Sequence, residues 1–405
     1  MKVLIVTDTI HAGGAETFVL RLAKKLNEMK LQAEILSLNP DIENKELTDQ
    51  YLTLTIHRIQ LPLLRWIKRG DRLLRLMDID FSLQYYLIRK IISRKYLPNY
   101  NLFHTHLISV DYLFARIKLS HPQTHIVSTL HGDYNEFEVF WQNKSAHKKL
   151  AWPKKVGLLK QQINNWVYIS KQQWELFANE YKVPADKLHK IYNGYETNDA
   201  LAKKENGANA TGASLTFIMV ARGIEAKGWE YAIKAFQQLE VHHKLVLVGK
   251  GPFLSQLNDK YKEIPNIEFS GFHPRPVELI NEADVFVFPS VYKTESLPTV
   301  IIEALYCGIP VISTDIGEVA EMLMDTDTGK RAGILIEKES EQVIVTGLIQ
   351  AMKTYIGNRA LLSQHSALAR QAAQKFSMDA CCHSYIGLYN RTLALNKSNT
   401  FTPFI

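Results

Sequence analysis

VFVFPSVYKTESLPTVIIEALYCGIPVIST, residues Val285–Thr314, is the stretch that decides the fold. Its opening Val and Phe residues make Val285–Pro289 a short buried strand. A polar loop then presents Glu295, and Pro298 or Thr299 opens a helix, Thr299–Cys307, whose first turn is free to hold phosphate. Gly308 and Pro310 punctuate the helix end, and a second strand, Pro310–Thr314, follows. This is one βα unit of a parallel sheet.

The same alternation extends upstream: strand Leu215–Val220, helix Trp229–Leu239, strand Lys244–Val248, helix Phe253–Lys262, strand Ile267–Phe269 and helix Val277–Glu282. Before it, residues 194–214 lose all periodicity and fill with Gly, Asn, Ala and Lys, which marks a linker. N-terminal to the linker, Lys2–Thr7 is a strand followed by a glycine-containing turn and an amphipathic helix to about Asn27. Further strands are expected at Ala33–Leu38, Leu102–Thr105, Ile126–Thr129 and Val167–Ile169. The fold class is therefore α/β, with two Rossmann-like doubly wound domains, residues 1–193 and 215–378. Such sheets bind ligands at the carboxyl ends of their strands, and two of them facing each other make a central cleft.

Size and composition agree. A chain of 405 residues is long for one core, and 46% hydrophobic with 22% charged residues is ordinary for a globular protein. No apolar run approaches the roughly 20 residues that cross a bilayer. Asp8 interrupts the apolar N-terminus and no small-residue cleavage site follows, so that segment reads as a strand and not as a signal peptide. Cys307, Cys381 and Cys382 have neither disulfide nor metal spacing, which places the chain in a reducing cytoplasm. The net charge of +7 is uneven: residues 1–200 hold 28 Lys and Arg against 20 Asp and Glu, and the remainder 20 against 21. No nucleic-acid reading module accompanies it, so no nucleic-acid partner is expected.

Three turns carry candidate chemistry. Gly13 and Gly14, in Thr9-Ile-His-Ala-Gly-Gly-Ala-Glu16, let the backbone approach a ligand at a helix N-terminus, although a plain βα turn reads the same way. The dinucleotide fingerprint is missing there, and Leu254 breaks the one that starts at Gly249-Lys-Gly251. Arg222 and Lys227, on the loop after the strand Leu215–Val220, offer a guanidinium fork and a mobile ammonium; both suit a departing diphosphate, with an incidental charged loop as the alternative. Glu295 and Glu303 flank the start of the helix Thr299–Cys307, and a carboxylate is the usual partner of a ribose diol.

Together, the Glu295…Glu303 spacing, the Arg222…Lys227 pair and the Gly13-Gly14-Ala15-Glu16 turn resemble glycosyltransferase family 4, retaining enzymes of the GT-B fold. The resemblance is densest from Leu215 to about Glu321, and it also covers Ser170 and Asn193-Gly194. It implies that Arg222 and Lys227 hold the donor diphosphate, Glu303 the ribose and Glu295 a sugar hydroxyl. The Ser296–Pro298 backbone, with Leu297 between, and Thr299 lie beside the phosphates; Gly13 and Gly14 lie against the donor. His131, at a strand end, matches the family histidine beside the transferred sugar. Members often continue Asn-Gly with a small residue and Asp, where this chain has Tyr195-Glu196.

The resemblance further implies a nucleotide-sugar donor with UDP favoured, front-face substitution, no cofactor and no metal. The acceptor-binding domain would be 1–193 and the donor-binding domain 215–378. A final segment, 379–405 with a helix over about Asp379–Leu395, would cross back to the first domain.

Two Asp-x-Asp triplets, Asp78/Asp80 and Asp325/Asp327, lie away from the donor elements and are read as chance. His104/His106 and His242/His243 lack a third ligand and are expected at strand ends and on the surface. The segment Ile56–Tyr96 holds ten basic and three acidic residues with Trp66 and a Leu83/Leu87/Ile91 stripe. It fits either docking on an anionic membrane surface, beside a glycan or lipid-linked acceptor, or an ordinary helix with a solvated basic face. Two other functions share the fold, a nucleotide-sugar 2-epimerase and a non-catalytic nucleotide-sugar-binding subunit.

Overall fold

The computed structural model describes residues 1–11, 14–77, 82–131, 146–196, 214–293 and 295–398. The chain forms two compact units, residues 1–194 with 378–405, and residues 195–377. The linker expected over 194–214 falls largely outside the described residues.

The first unit is built on seven parallel strands: β1 Lys2–Thr7, β2 Gln32–Ser37, β3 Ile56–Arg58, β4 Leu102–His106, β5 Ile126–Thr129, β6 Asn165–Tyr168 and β7 Leu188–Lys190, in the order β3-β2-β1-β4-β5-β6-β7. β1 pairs β2 on one side and β4 on the other, so the order reverses between β1 and β4. Val3 to Val6 are fully buried, as expected of a parallel strand covered on both faces. One face packs on the helix Gly14–Glu28 through Phe18, Leu22 and Leu26, joined by Cys382, Tyr385 and Tyr389 of the long last helix, Met378–Ser398. That last helix belongs to the first unit.

The second unit carries six parallel strands: β8 Thr216–Val220, β9 Lys244–Val248, β10 Ile267–Gly271, β11 Val285–Phe288, β12 Val311–Thr314 and β13 Gly333–Ile336, in the order β10-β9-β8-β11-β12-β13. Its order reverses between β8 and β11. Both strands end in the crevice where a doubly wound sheet takes its ligand. All of β11 and β12 is buried, which suits the unbroken apolar run of β11; in β12 the buried Ser313 and Thr314 hydroxyls donate to the Phe288 and Ser290 carbonyls. Trp229, Phe236 and Phe217 fill one side of the sheet with Tyr355 of the helix Glu341–Gly357.

The two doubly wound sheets are those expected of the α/β class. Boundaries moved by a residue or two at most strands. β3, β7 and β13 were not expected, nor were the helices Leu64–Leu76 and Ala146–Gln162.

Candidate functional site

In the second unit the loops after β8 and β11 meet at the reversal point. The backbone N–H of Val291 donates to the Ala226 carbonyl at 2.8 Å, tying one loop to the other. Between them, the Lys227 ammonium forms an ion pair with Oε2 of Glu295. Both side chains are largely buried, at 7% and 12% exposure. The Ser290 hydroxyl donates to the same carboxylate oxygen at 3.2 Å. Lys227 lies 4.9 Å from the centroid of the Tyr292 ring, and the Arg222 guanidinium 5.2 Å from the same ring. Tyr292 therefore sits against both cations. Arg222 itself is exposed.

Local backbone chemistry makes this approach possible. Gly228 follows Lys227 at φ +80°, and a Cβ there would meet the Pro289 carbonyl oxygen at 2.1 Å. Gly317 lies at φ +57°, and its Cβ would meet the Glu295 carbonyl oxygen at 2.3 Å. Next to it the N–H of Glu318 donates to the Ser296 carbonyl at 2.9 Å. Glycine thus lets two neighbouring loops close against the Glu295 segment.

The helix Thr299–Tyr306 starts after Pro298 with no side chain capping it; the Ile301 N–H donates to the Pro298 carbonyl at 3.0 Å, and the Thr299 and Val300 N–H groups stand at the positive end of the helix. Leu297 and Pro298 are buried; Ser296 is half-buried and Thr299 exposed. Glu303, one turn along, accepts a hydrogen bond at Oε1 from the Tyr195 hydroxyl at 3.0 Å. The second unit thus carries Arg222, Lys227, Glu295, Ser296, Leu297, Pro298, Thr299 and Glu303, with Lys227 and Glu295 in direct contact. Sequence reasoning missed Ser290 and Tyr292, although both stand in the segment it singled out. It noticed Tyr195 only as a departure.

His131 and Gly14 belong to the first unit. Gly14 begins its helix with open space beyond it, since a Cβ there would touch nothing within 4 Å. Gly13 lies outside the described residues. His131 follows β5, and its Nε2 is 2.6 Å from Nδ1 of His106. Burial pushes the His131 imidazole down to about 4, so it is neutral at pH 7.

His104 and His106 lie in the last residues of β4, the strand-end position expected of them. Both are fully buried, because the last helix covers the end of β4. The Tyr389 hydroxyl lies 2.8 Å from His104 Nδ1, and His104 Nε2 lies 2.7 Å from the Thr129 hydroxyl, which itself meets the Tyr385 hydroxyl at 2.8 Å. Burial drives the His104 pKa down to about 3 and that of His106 well below its ordinary value. His243 is buried too, its Nδ1 accepting the Leu215 N–H at 3.1 Å, so of that pair only His242 matches a surface reading.

Among the described residues no group of three or more His, Cys, Asp or Glu is arranged to hold a metal ion. Asp325 closes a turn by accepting from the Thr328 N–H and hydroxyl at 3.0 and 2.5 Å. Asp78 and Asp80 lie outside the described residues. Burial pushes the Cys307 thiol up to about 12, which leaves it protonated and unreactive.

The model for glycosyl transferases group 1 matches residues 202–372, and the model for glycosyltransferase family 4 matches residues 12–199. A putative colanic acid biosynthesis glycosyltransferase, WcaL of Salmonella typhimurium, is 32% identical over 42% of this chain and 44% of its own length. A putative glycosyltransferase, EpsF of Bacillus subtilis, is 24% identical over 78% of this chain and 79% of its own. The chain thus spans less than half of the first of these relatives and more than three quarters of the second. A crystal structure of Anabaena HepE in complex with UDP shares the fold at TM-score 0.71, with 16% identity, over 96% of this chain and all of that one.

Proposed function

We propose, for a chain that belongs to the glycosyltransferases of group 1 and family 4 and has the GT-B fold, that it transfers a sugar from a UDP-sugar to a hydroxyl of a glycan or lipid-linked glycan, with retention at the anomeric carbon. The observation that carries this reading is the buried Lys227–Glu295 pair at the β8/β11 reversal, with Arg222 at its mouth. A diphosphate brings negative charge, and Lys227 is a cation already desolvated and aimed by Glu295 and Tyr292. Arg222 adds a fork that can take two phosphate oxygens at once. The uncapped helix start at Thr299 adds N–H donors, and Glu303 offers a carboxylate to the ribose.

As the glycosidic bond breaks, its electron pair passes to the departing phosphate oxygen, and Lys227 and Arg222 stabilise the charge that grows there. The acceptor hydroxyl forms the new bond on the same face and loses its proton, with that phosphate oxygen as the acceptor. Glu295 orients a sugar hydroxyl. His131, neutral at pH 7, offers the sugar a hydrogen bond and no charge. The nucleotide is taken as UDP because of the UDP held by HepE. A role in surface-polysaccharide assembly draws on the colanic acid assignment of WcaL. The protein would work in the cytoplasm, docked at the inner face of the membrane through Ile56–Tyr96.

A thermal-shift panel with UDP, GDP and ADP, with and without EDTA, tests the donor site. At a hundredfold excess over Kd a native-state ligand stabilises by about 2.7 kcal/mol. The expected result is a UDP shift that survives EDTA and vanishes in Glu303→Ala; a flat panel at millimolar UDP would count against the reading. Product analysis with UDP-sugars then separates transfer from 2-epimerisation and from binding without turnover, and proton NMR of the product reads the anomer.

A further inference from the structure

Tyr195 follows Asn193-Gly194, and its hydroxyl lies 3.0 Å from Oε1 of Glu303. Three further contacts fix the tyrosine. Its backbone N–H donates to the Phe376 carbonyl at 2.7 Å, its strand-like backbone bridges Ser377, and its ring stacks on Tyr306 with centroids 5.9 Å apart and planes at 29°. Tyr306 stands at the end of the same helix as Glu303. The phenol is therefore held by the backbone at one end and by the helix at the other. Its O–H has a defined direction toward the carboxylate.

We infer that Tyr195 is a positioning residue for the nucleotide ribose, acting through Glu303. This rests on the donor reading given above. A carboxylate accepts at about four lone-pair sites on two oxygens. With one oxygen engaged by a fixed phenol, the plane of the carboxylate is set, and Glu303 reads one ribose hydroxyl in preference to chelating both. A freely rotating Glu303 would meet either hydroxyl and would lose side-chain entropy on binding. Tyr195 thus makes the ribose contact directional and pre-organised.

Isothermal titration with UDP, 2′-deoxy-UDP, 3′-deoxy-UDP and inorganic pyrophosphate, on wild type, Tyr195→Phe and Glu303→Ala, tests this. Phenylalanine keeps the stack on Tyr306 and removes only the hydroxyl. The wild type should reject one deoxy analogue much more than the other. Tyr195→Phe should weaken UDP by about 10-fold, the scale of one hydrogen bond to a charged group. It should also shrink the gap between the two deoxy analogues, with pyrophosphate affinity and Tm unchanged. Unaltered UDP affinity and discrimination in Tyr195→Phe, beside loss in Glu303→Ala, overturn the role of Tyr195 and leave the donor site standing. Equal weakening of UDP and pyrophosphate with a lowered Tm overturns it as well, since that marks a purely structural residue. A wild type that binds no nucleotide overturns both readings together.

Discussion

The Lys227 ammonium and the Glu295 carboxylate, 68 residues apart in sequence, are paired in the second unit with little access to water. A buried pair that loses one partner leaves an uncompensated charge, at a cost of about 3 kcal/mol or more. Lys227→Met and Glu295→Gln should each lower Tm, whereas the double variant should recover most of that loss. Donor binding should behave differently. Lys227→Met and the double variant should both bind UDP at least about 10-fold more weakly, because the phosphate loses a charge-assisted contact. Thermal melts and UDP titrations on the four proteins check this, and a double variant that binds like wild type would remove Lys227 from the site.

Gly317 packs against the backbone of the same Glu295. Its left-handed φ and the 2.3 Å approach of a Cβ to the Glu295 carbonyl oxygen make Gly317→Ala strained twice over. The left-handed conformation alone costs about 1 kcal/mol in a non-glycine residue, before any clash. Gly317→Ala should therefore lose stability and displace the Glu295 loop, with UDP affinity falling alongside. Gly14→Ala is the contrast. A Cβ there meets nothing within 4 Å, so Tm should hold within about 1 °C. Differential scanning fluorimetry of the two variants distinguishes them directly.

The site residues legible in the sequence were those with chemistry and spacing of their own: Arg222, Lys227, Glu295 and Glu303. The Arg222, Lys227 and Glu295 loops follow buried strands, and β11 announces itself by an apolar run ended by Pro289, while Pro310 marks the start of β12. Tyr292 gave no such signal, since a loop tyrosine acquires a role only when two cations arrive from another loop. The burial of His104 gave no signal for a related reason: the tyrosine that covers it lies 285 residues away. β3 and β7, at three residues each, are too short to show a period. The helix Ala146–Gln162 was hidden by Pro153 in its interior, a residue that normally argues against helix.

The buried histidines set a pH dependence. His104 titrates at about 3 and His131 at about 4 in the folded chain, against about 6.5 when unfolded. The unfolded state therefore binds more protons between those limits, and stability falls as pH drops through 6.5 toward 4. Each proton excluded from the fold contributes about 1.4 kcal/mol per pH unit in that window. Tm should be flat from pH 7 to 8 and fall steeply below about 6, with a shallower fall in His104→Gln. A melt that is independent of pH between 7 and 4.5 would show that these imidazoles accept protons without unfolding.

On the helix Leu64–Leu76, Ile67 and Asp71 face inward, and Asp71 accepts hydrogen bonds from Leu83 N–H and the Ser82 hydroxyl at 2.6 and 2.7 Å. The opposite side exposes Trp66 at 65%, Leu73 at 60% and, just beyond the helix, Met77 at 64%. These three fall at seven- and four-residue steps, one stripe of a helix, with exposed Arg65, Lys68, Arg69 and Arg72 alongside. The Arg69 guanidinium lies 5.0 Å from the Trp66 ring, and an open groove of about 940 Å³ adjoins Leu63 and Trp66. An apolar stripe flanked by cations is the geometry of a helix lying in a lipid interface, where each basic side chain contributes about 1 kcal/mol against anionic lipid. The protein should float with vesicles containing phosphatidylglycerol but not with pure phosphatidylcholine, and added salt should release it. Arg65→Glu with Arg72→Glu should abolish flotation, and Trp66→Ser should weaken it, with UDP affinity intact in both because Arg222, Lys227, Glu295 and Glu303 lie in the other unit. Equal flotation on neutral vesicles would trace the binding to the apolar stripe alone, and none on either would leave the stripe without lipid.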